Sequence, residues 1–89
     1  MAWAIDFDDK ARKQLAKIDR TNAERIVRYL EQRIAPLNDV RRQGSALQGP
    51  DFHHLWRYKV GDYRIICDIQ DRKLVVLVIE IGHRSSVYR

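Results

Sequence analysis

From His54 to Gly82 the chain reads as three strand candidates separated by short turns, and this stretch restricts the fold more than any other. The candidates are about 54–60, 63–70 and 73–82. Gly61-Asp62 leaves room only for a tight hairpin, and Gln70-Asp71-Arg72 makes a second one. Strands joined by hairpins run antiparallel, so this half of the chain predicts an antiparallel sheet. Its longest apolar run, Leu74 to Ile79, is strand length and far short of the ~18 residues of a membrane helix.

The N-terminal half supplies the layer that such a sheet needs on one face. Ala2-Trp3-Ala4-Ile5-Asp6-Phe7 alternates, with Trp3, Ile5 and Phe7 on one side of a short strand. Asp8 or Asp9 then caps a first helix through about Ile18, with Ala11, Leu15 and Ile18 at helical spacing. Thr21-Asn22-Ala23-Glu24 has the form of a capping box for a second helix. Ala23, Ile26, Val27, Leu30 and Ile34 make its apolar stripe, and Pro36 stops it. Residues 38–50 read as an exposed connection in which Leu47 packs inward. The expected fold is α+β: an N-terminal strand and an α-helical hairpin packed on a small antiparallel β-sheet, its other face open.

Eighty-nine residues are one domain, residues 1–89, with an adequate but thin core. No basic leader with an apolar stretch opens the chain, and Cys67 stands alone in an apolar run as a small buried hydrophobe. These features predict a cytoplasmic protein with no membrane partner. The net charge of +5 is uneven. Through residue 40 there are eight Lys and Arg against seven Asp and Glu; beyond it there are nine against five. A basic C-terminal half invites a polyanion or an acidic partner.

The sheet gives that charge a place. The pleat sets Trp56, Tyr58 and Val60 on one side of their strand, with Leu55, Arg57 and Lys59 on the other. In the next strand Tyr63, Ile65 and Cys67 oppose Arg64 and Ile66. Arg57, Lys59 and Arg64 can therefore share the open face, and the segment His83-Arg84 through Tyr88 follows the last strand. Such a set suits a phosphate: arginine stays charged and offers a planar fork to its oxygens. His53-His54 is a poor metal pair, because adjacent strand residues point to opposite sides and no further His or Cys completes a site. No metal and no other cofactor is expected.

Three phrases carry a resemblance. They are Leu47-Gln48-Gly49, Leu55-Trp56-Arg57-Tyr58 leading to Gly61-Asp62-Tyr63-Arg64, and the closing Gly82-His83-Arg84 through Val87-Tyr88. Together with Asp6-Phe7-Asp8 and the helical hairpin, they make the chain similar, nearly end to end, to the RelE/ParE superfamily of bacterial toxins, and within it to the RelE branch. That resemblance implies a ribosome-dependent messenger RNA endonuclease held inactive by a cognate antitoxin. It implies catalytic roles for Arg57, Arg64, Arg84 and Tyr88, with His83 beside them. Lys59, His54, Arg57 and Arg89 are candidates for RNA contact. The chain departs from the best-known pattern at Leu55 and Arg57, which stand where that pattern has two lysines. His53 or His54 is the nearby substitute for the missing first one.

The chemistry implied is attack of the RNA 2′-OH on the adjacent phosphorus. Arg64 and Arg84 would stabilise the phosphate. The base is Tyr88, whose phenolate nearby arginines favour, or a histidine such as His83, or no resident group. Tyr88 alternatively stacks on a splayed base. Structural readings stand beside these: Arg57 lying over apolar surface and pairing with Asp68, Arg64 in an ion pair. The basic run Lys10, Arg12, Lys13, Lys17 and Arg20 is a solvated face or a contact for ribosomal RNA. The antitoxin is expected to bring an acidic, amphipathic helical segment. Two other functions are compatible with the residues: a ParE-like toxin that inhibits gyrase without cutting RNA, and a non-catalytic relative that binds antitoxin or RNA.

Overall fold

The computed structural model describes residues 2–49 and 54–85. Its elements are β1 (Ala4–Phe7), α1 (Asp9–Lys17), α2 (Arg20–Tyr29), a π-helical continuation (Leu30–Ile34), a 3₁₀ turn (Val40–Arg42), β2 (Ser45–Ala46), β3 (Leu55–Val60), β4 (Tyr63–Gln70) and β5 (Val75–His83). The strands form one sheet in the order β1-β5-β4-β3-β2. From β1 at one edge the helical hairpin carries the chain to β2 at the other, and three antiparallel steps, β2 to β3 to β4 to β5, bring it back.

The α+β expectation is met, with one difference in the sheet. β2 to β5 pair antiparallel, but β1 runs parallel to β5, with Ala4 opposite Val75 and Phe7 opposite Val78. The sheet is mixed. No hairpin rule could indicate this, because β1 and β5 are joined by the whole of the chain between them. β2 was hidden for another reason: it has two residues inside a polar, glycine-containing stretch.

Local chemistry explains the helices. The Asp8 carboxylate accepts from the Ala11 amide at 2.9 Å and starts α1. The second helix starts earlier than the capping box at Thr21 predicts. Asp19 is its cap, accepting from the Asn22 amide at 3.1 Å, and Glu24 is taken by Arg20 at 3.3 Å instead of reaching back. The Asn22 side-chain amide also donates to Asp19, at 2.9 Å, and with the backbone bond it holds the Asp19 carboxyl below its ordinary range. The Ala35 amide donates to Leu30 O, closing the π turn, just before Pro36 ends the helix.

The core lies between the helices and one face of the sheet. Ala11, Ile26, Leu30 and Ile34 from the helical layer meet Tyr58, Ile65, Cys67, Val76 and Val78 from the strands, all fully buried. The Tyr58 hydroxyl donates to Val40 O at 2.7 Å and fastens the 3₁₀ turn to the sheet. Trp3 is buried, Trp56 half-buried against the core, and both donate their indole N–H to loop carbonyls, of Asn38 and Gln43. Burial pushes the Cys67 thiol and the Tyr58 hydroxyl well above their ordinary pKa values, so both stay neutral. No helix among the described residues is long and apolar enough to cross a membrane.

Candidate active site

The β3–β4 register places the cations. Arg57 lies opposite Ile66, and Lys59 opposite Arg64. On the far sides Ser45 flanks Arg57, Glu80 flanks Ile66 and Gly82 flanks Arg64. Lys59 and Arg64 thus face each other as like charges directly across a strand pair, an arrangement that costs stability unless an anion joins it. Gly82 adds no side chain beside Arg64 and leaves its guanidinium room.

Each arginine is held differently. Arg57 is half-buried and donates from Nη2 to Ser45 Oγ at 2.7 Å. Arg64 curls toward the hairpin turn, donating from Nη1 to Tyr63 O at 3.2 Å and Gly61 O at 3.4 Å. Arg84 reaches the same turn from β5: its amide donates to Asp62 O at 2.8 Å, and its Nε lies 3.7 Å from Asp62 Oδ1. The Asp62 and Arg84 side chains are about two-thirds exposed, so the pair orients more than it stabilises. The Gly61-Asp62 turn is therefore the point on which Arg64 and Arg84 converge. Gly61 has φ +59, the left-handed region that a tight turn needs and glycine tolerates.

His83 pairs with Tyr63, and its ring meets the tyrosine edge-on at a centroid distance of 5.8 Å. Tyr63 packs toward the helical layer, so His83 stands on the opposite face from Arg64 at the same end of the sheet. Its Nδ1 lies 2.9 Å from Ser85 Oγ and accepts from the Ser85 amide at 3.3 Å. The remaining proton of the neutral ring then sits on Nε2. Lys59 and His54 are exposed, Lys59 on the arginine face and His54 just before β3. Tyr88, Arg89 and His53 lie outside the described residues. Asp62, Ser45 and Gln14 also take part in this geometry, and sequence reasoning does not single them out. Asp62 alone leaves a signal, a carboxylate in a hairpin turn next to Arg64.

The end of β5 is braced from α1. Where β1 stops, the Ile81 amide donates to Gln14 Oε1 at 2.7 Å, and Lys10 Nζ lies 3.1 Å from Glu80 Oε1. Two residues of the basic run thus sit in ion pairs, Lys10 on α1 with Glu80 and Arg20 at the start of α2 with Glu24. Among the described residues no three His, Cys, Asp or Glu side chains gather as a metal site would require.

Comparison with known proteins agrees with this fold. The sequence model of the ParE toxin of the type II toxin–antitoxin system parDE matches residues 5–88. The mRNA interferase toxin RelE of Escherichia coli is 33% identical over 91 aligned residues, covering 99% of this chain and 92% of that protein. Among solved structures, the toxin–antitoxin complex RelBE2 of Mycobacterium tuberculosis superposes with a TM-score of 0.83 at 20% identity, over 97% of this chain and 95% of that one. A mutant E. coli toxin RelE in complex with an antitoxin RelBc peptide superposes with a TM-score of 0.70 at 27% identity, over 93% and 84% of the two chains. The chain belongs to the RelE/ParE superfamily of type II toxins.

Proposed function

We propose that this protein is the toxin of a type II toxin–antitoxin pair and an endoribonuclease that cuts messenger RNA on the ribosome. The observation that carries the reading is the 33% identity, over almost the whole of both chains, to a protein named mRNA interferase toxin. The convergence of Arg64 and Arg84 on one turn supports it.

The chemistry follows from what arginine can and cannot do. RNA carries its own nucleophile: the 2′-oxygen loses its proton, bonds to phosphorus, and the 5′-oxygen of the next nucleotide leaves with the bonding electrons and takes up a proton. Arg64 and Arg84 hold the non-bridging oxygens as negative charge builds on them. Arg57 and Lys59 lie along the same face, placed to receive the flanking backbone. Arginine is a poor proton carrier, so the proton passes to Tyr88, to a histidine, or to water. Of the histidines, His83 would need the strand to approach from its own side of the sheet. These steps call for no metal.

The antitoxin would lay an acidic helical segment across the arginine face, as charge complementarity favours; the similar E. coli toxin RelE forms a complex with an antitoxin peptide. The protein would act in the cytoplasm, where ribosomes and message are. A second reading is favoured by one observation, that the matching family model is the ParE toxin's: inhibition of gyrase without RNA cleavage.

Induced expression with primer-extension mapping of transcripts tests the proposal, with plasmid supercoiling read in parallel. Discrete cuts within translated frames, reduced by a factor of about 10²–10³ in Arg84→Ala as for loss of one preorganised donor, are expected. Toxicity without cuts, with altered supercoiling, would replace the nuclease by the gyrase reading.

A further inference from the structure

A groove of about 360 Å³ runs between the second helix and the β3–β4 hairpin. Arg25, Arg28 and Arg33 line it from the helix and its π-helical end, Lys59 and Gly61 from the hairpin, and Tyr29 forms part of its wall. No carboxylate lines it. None of its four cations enters an ion pair among the described residues, whereas Lys10, Arg20, Arg41 and Arg84 all do. Four positive charges around one open groove repel one another, and no carboxylate within the groove offsets that. Burial raises the Tyr29 pKa, so its hydroxyl adds no negative charge.

The groove adjoins the candidate active site through one residue. On the side where Gly61 lacks a side chain, the Arg25 guanidinium lies 3.0 Å from where a Cβ would be; on its carbonyl sits Arg64. Lys59 belongs to both places, lining the groove and facing Arg64 across the strands. The cations therefore form a track from Arg33 and Arg28, past Arg25 and Gly61, to Arg64 and Arg84.

We propose that this groove binds the phosphodiester backbone of RNA, leading a strand to or from the arginine face. An elongated set of unneutralised cations on two elements fits a repeating anion better than a single small one. That the strand is the one being cut rests on the nuclease reading; the groove's affinity for RNA does not. The same chemistry is offered by the message beside the cut and by ribosomal RNA.

The test compares Arg28→Gln/Arg33→Gln with a control pair of equal charge loss in the β4–β5 turn, Arg72→Gln/Lys73→Gln, at the end of β4 away from Gly61. All four positions are exposed, and circular dichroism checks the fold. Two ligands are titrated over a range of salt: a single-stranded 2′-O-methyl oligoribonucleotide, which 2′-OH attack cannot cut, and purified ribosomes. The groove pair is expected to weaken binding several-fold more than the control pair. The slope of log affinity against log salt should fall by about 0.7 for each phosphate that the protein no longer neutralises. Weaker binding of the oligonucleotide supports the message as occupant; weaker binding of ribosomes alone supports ribosomal RNA. Equal behaviour of the two pairs with both ligands overturns the proposal. A wild type that cuts nothing yet shows groove-dependent binding would sink the nuclease reading and leave the groove; normal cutting with groove-independent binding would do the reverse.

Discussion

Replacing Gln14 by methionine keeps the length of the side chain and removes the acceptor for the Ile81 amide. Ile81 is 2% exposed, so its N–H has little access to water as a substitute partner. Leaving a buried donor unmade costs about 1–3 kcal/mol. The bond itself is only part-buried, which puts the loss in the lower half of that range, about 1–1.5 kcal/mol. For a domain of this size each kcal/mol moves Tm by roughly 4–8 °C, so a fall of about 4–12 °C is expected. Because β5 ends at His83 and leads directly into Arg84, its end should fray before the rest of the sheet. Thermal denaturation gives the first quantity, and amide hydrogen exchange at Ile81 to His83 the second, with protection falling there more than at Val76. An unchanged Tm together with unchanged protection at Ile81 would refute the idea that α1 braces the end of β5.

Three further outcomes follow from particular interactions. Gly44→Ala should destabilise strongly: its φ is +81, and a Cβ there would run into the Arg57 carbonyl and the Trp56 indole. The Arg57–Ser45 hydrogen bond should break as well, and near-native denaturation midpoints would contradict this. Cys67 is fully buried and its thiol is held protonated by burial, so a thiol reagent at pH 8 should react no faster than the protein unfolds; rapid labelling of folded protein would count against that placement. Arg41 makes paired bonds of 2.9 Å to both carboxylate oxygens of Asp71, which lowers the Asp71 pKa. A lowered carboxylate pKa gives stability that is present above the unfolded value of about 3.9 and lost as pH falls through the folded value. The deficit of Arg41→Ala in chemical denaturation should thus be present at pH 7, small because the pair is exposed (at most about 1 kcal/mol), and vanish in acid; a deficit that grows below pH 4 would contradict the assignment.

Much of this structure was legible in the residues because their constraints are local. The hairpin at Gly61-Asp62 and the whole of Tyr63–Gln70 follow from alternation and turn chemistry, and the pleat alone put Arg57, Lys59 and Arg64 on one face. What escaped depends on distant partners or on competition between neighbours. The parallel β1–β5 pairing has no sequence mark. Asp19 displaced Thr21 as cap because both are good capping residues and Glu24 had Arg20 within reach. The last strand begins at Val75, later than its apolar run suggests, because the turn continues through Leu74 in a left-handed conformation. In the site, the residues lining the groove lie far apart in the chain. Nothing in the sequence marks Arg25 and Arg28, which gain their place only when the hairpin is folded against them.

In the proposed reaction the RNA's own 2′-hydroxyl is the nucleophile, and Arg64 and Arg84 hold the phosphate. The most direct measurement places a single 2′-deoxynucleotide at a mapped cut site in a message loaded on ribosomes and follows cleavage there. Cutting at that position should disappear while other sites are cut as before, and ordinary products should carry 5′-hydroxyl ends. Undiminished cleavage at the deoxy position, or 5′-phosphate ends, would contradict it.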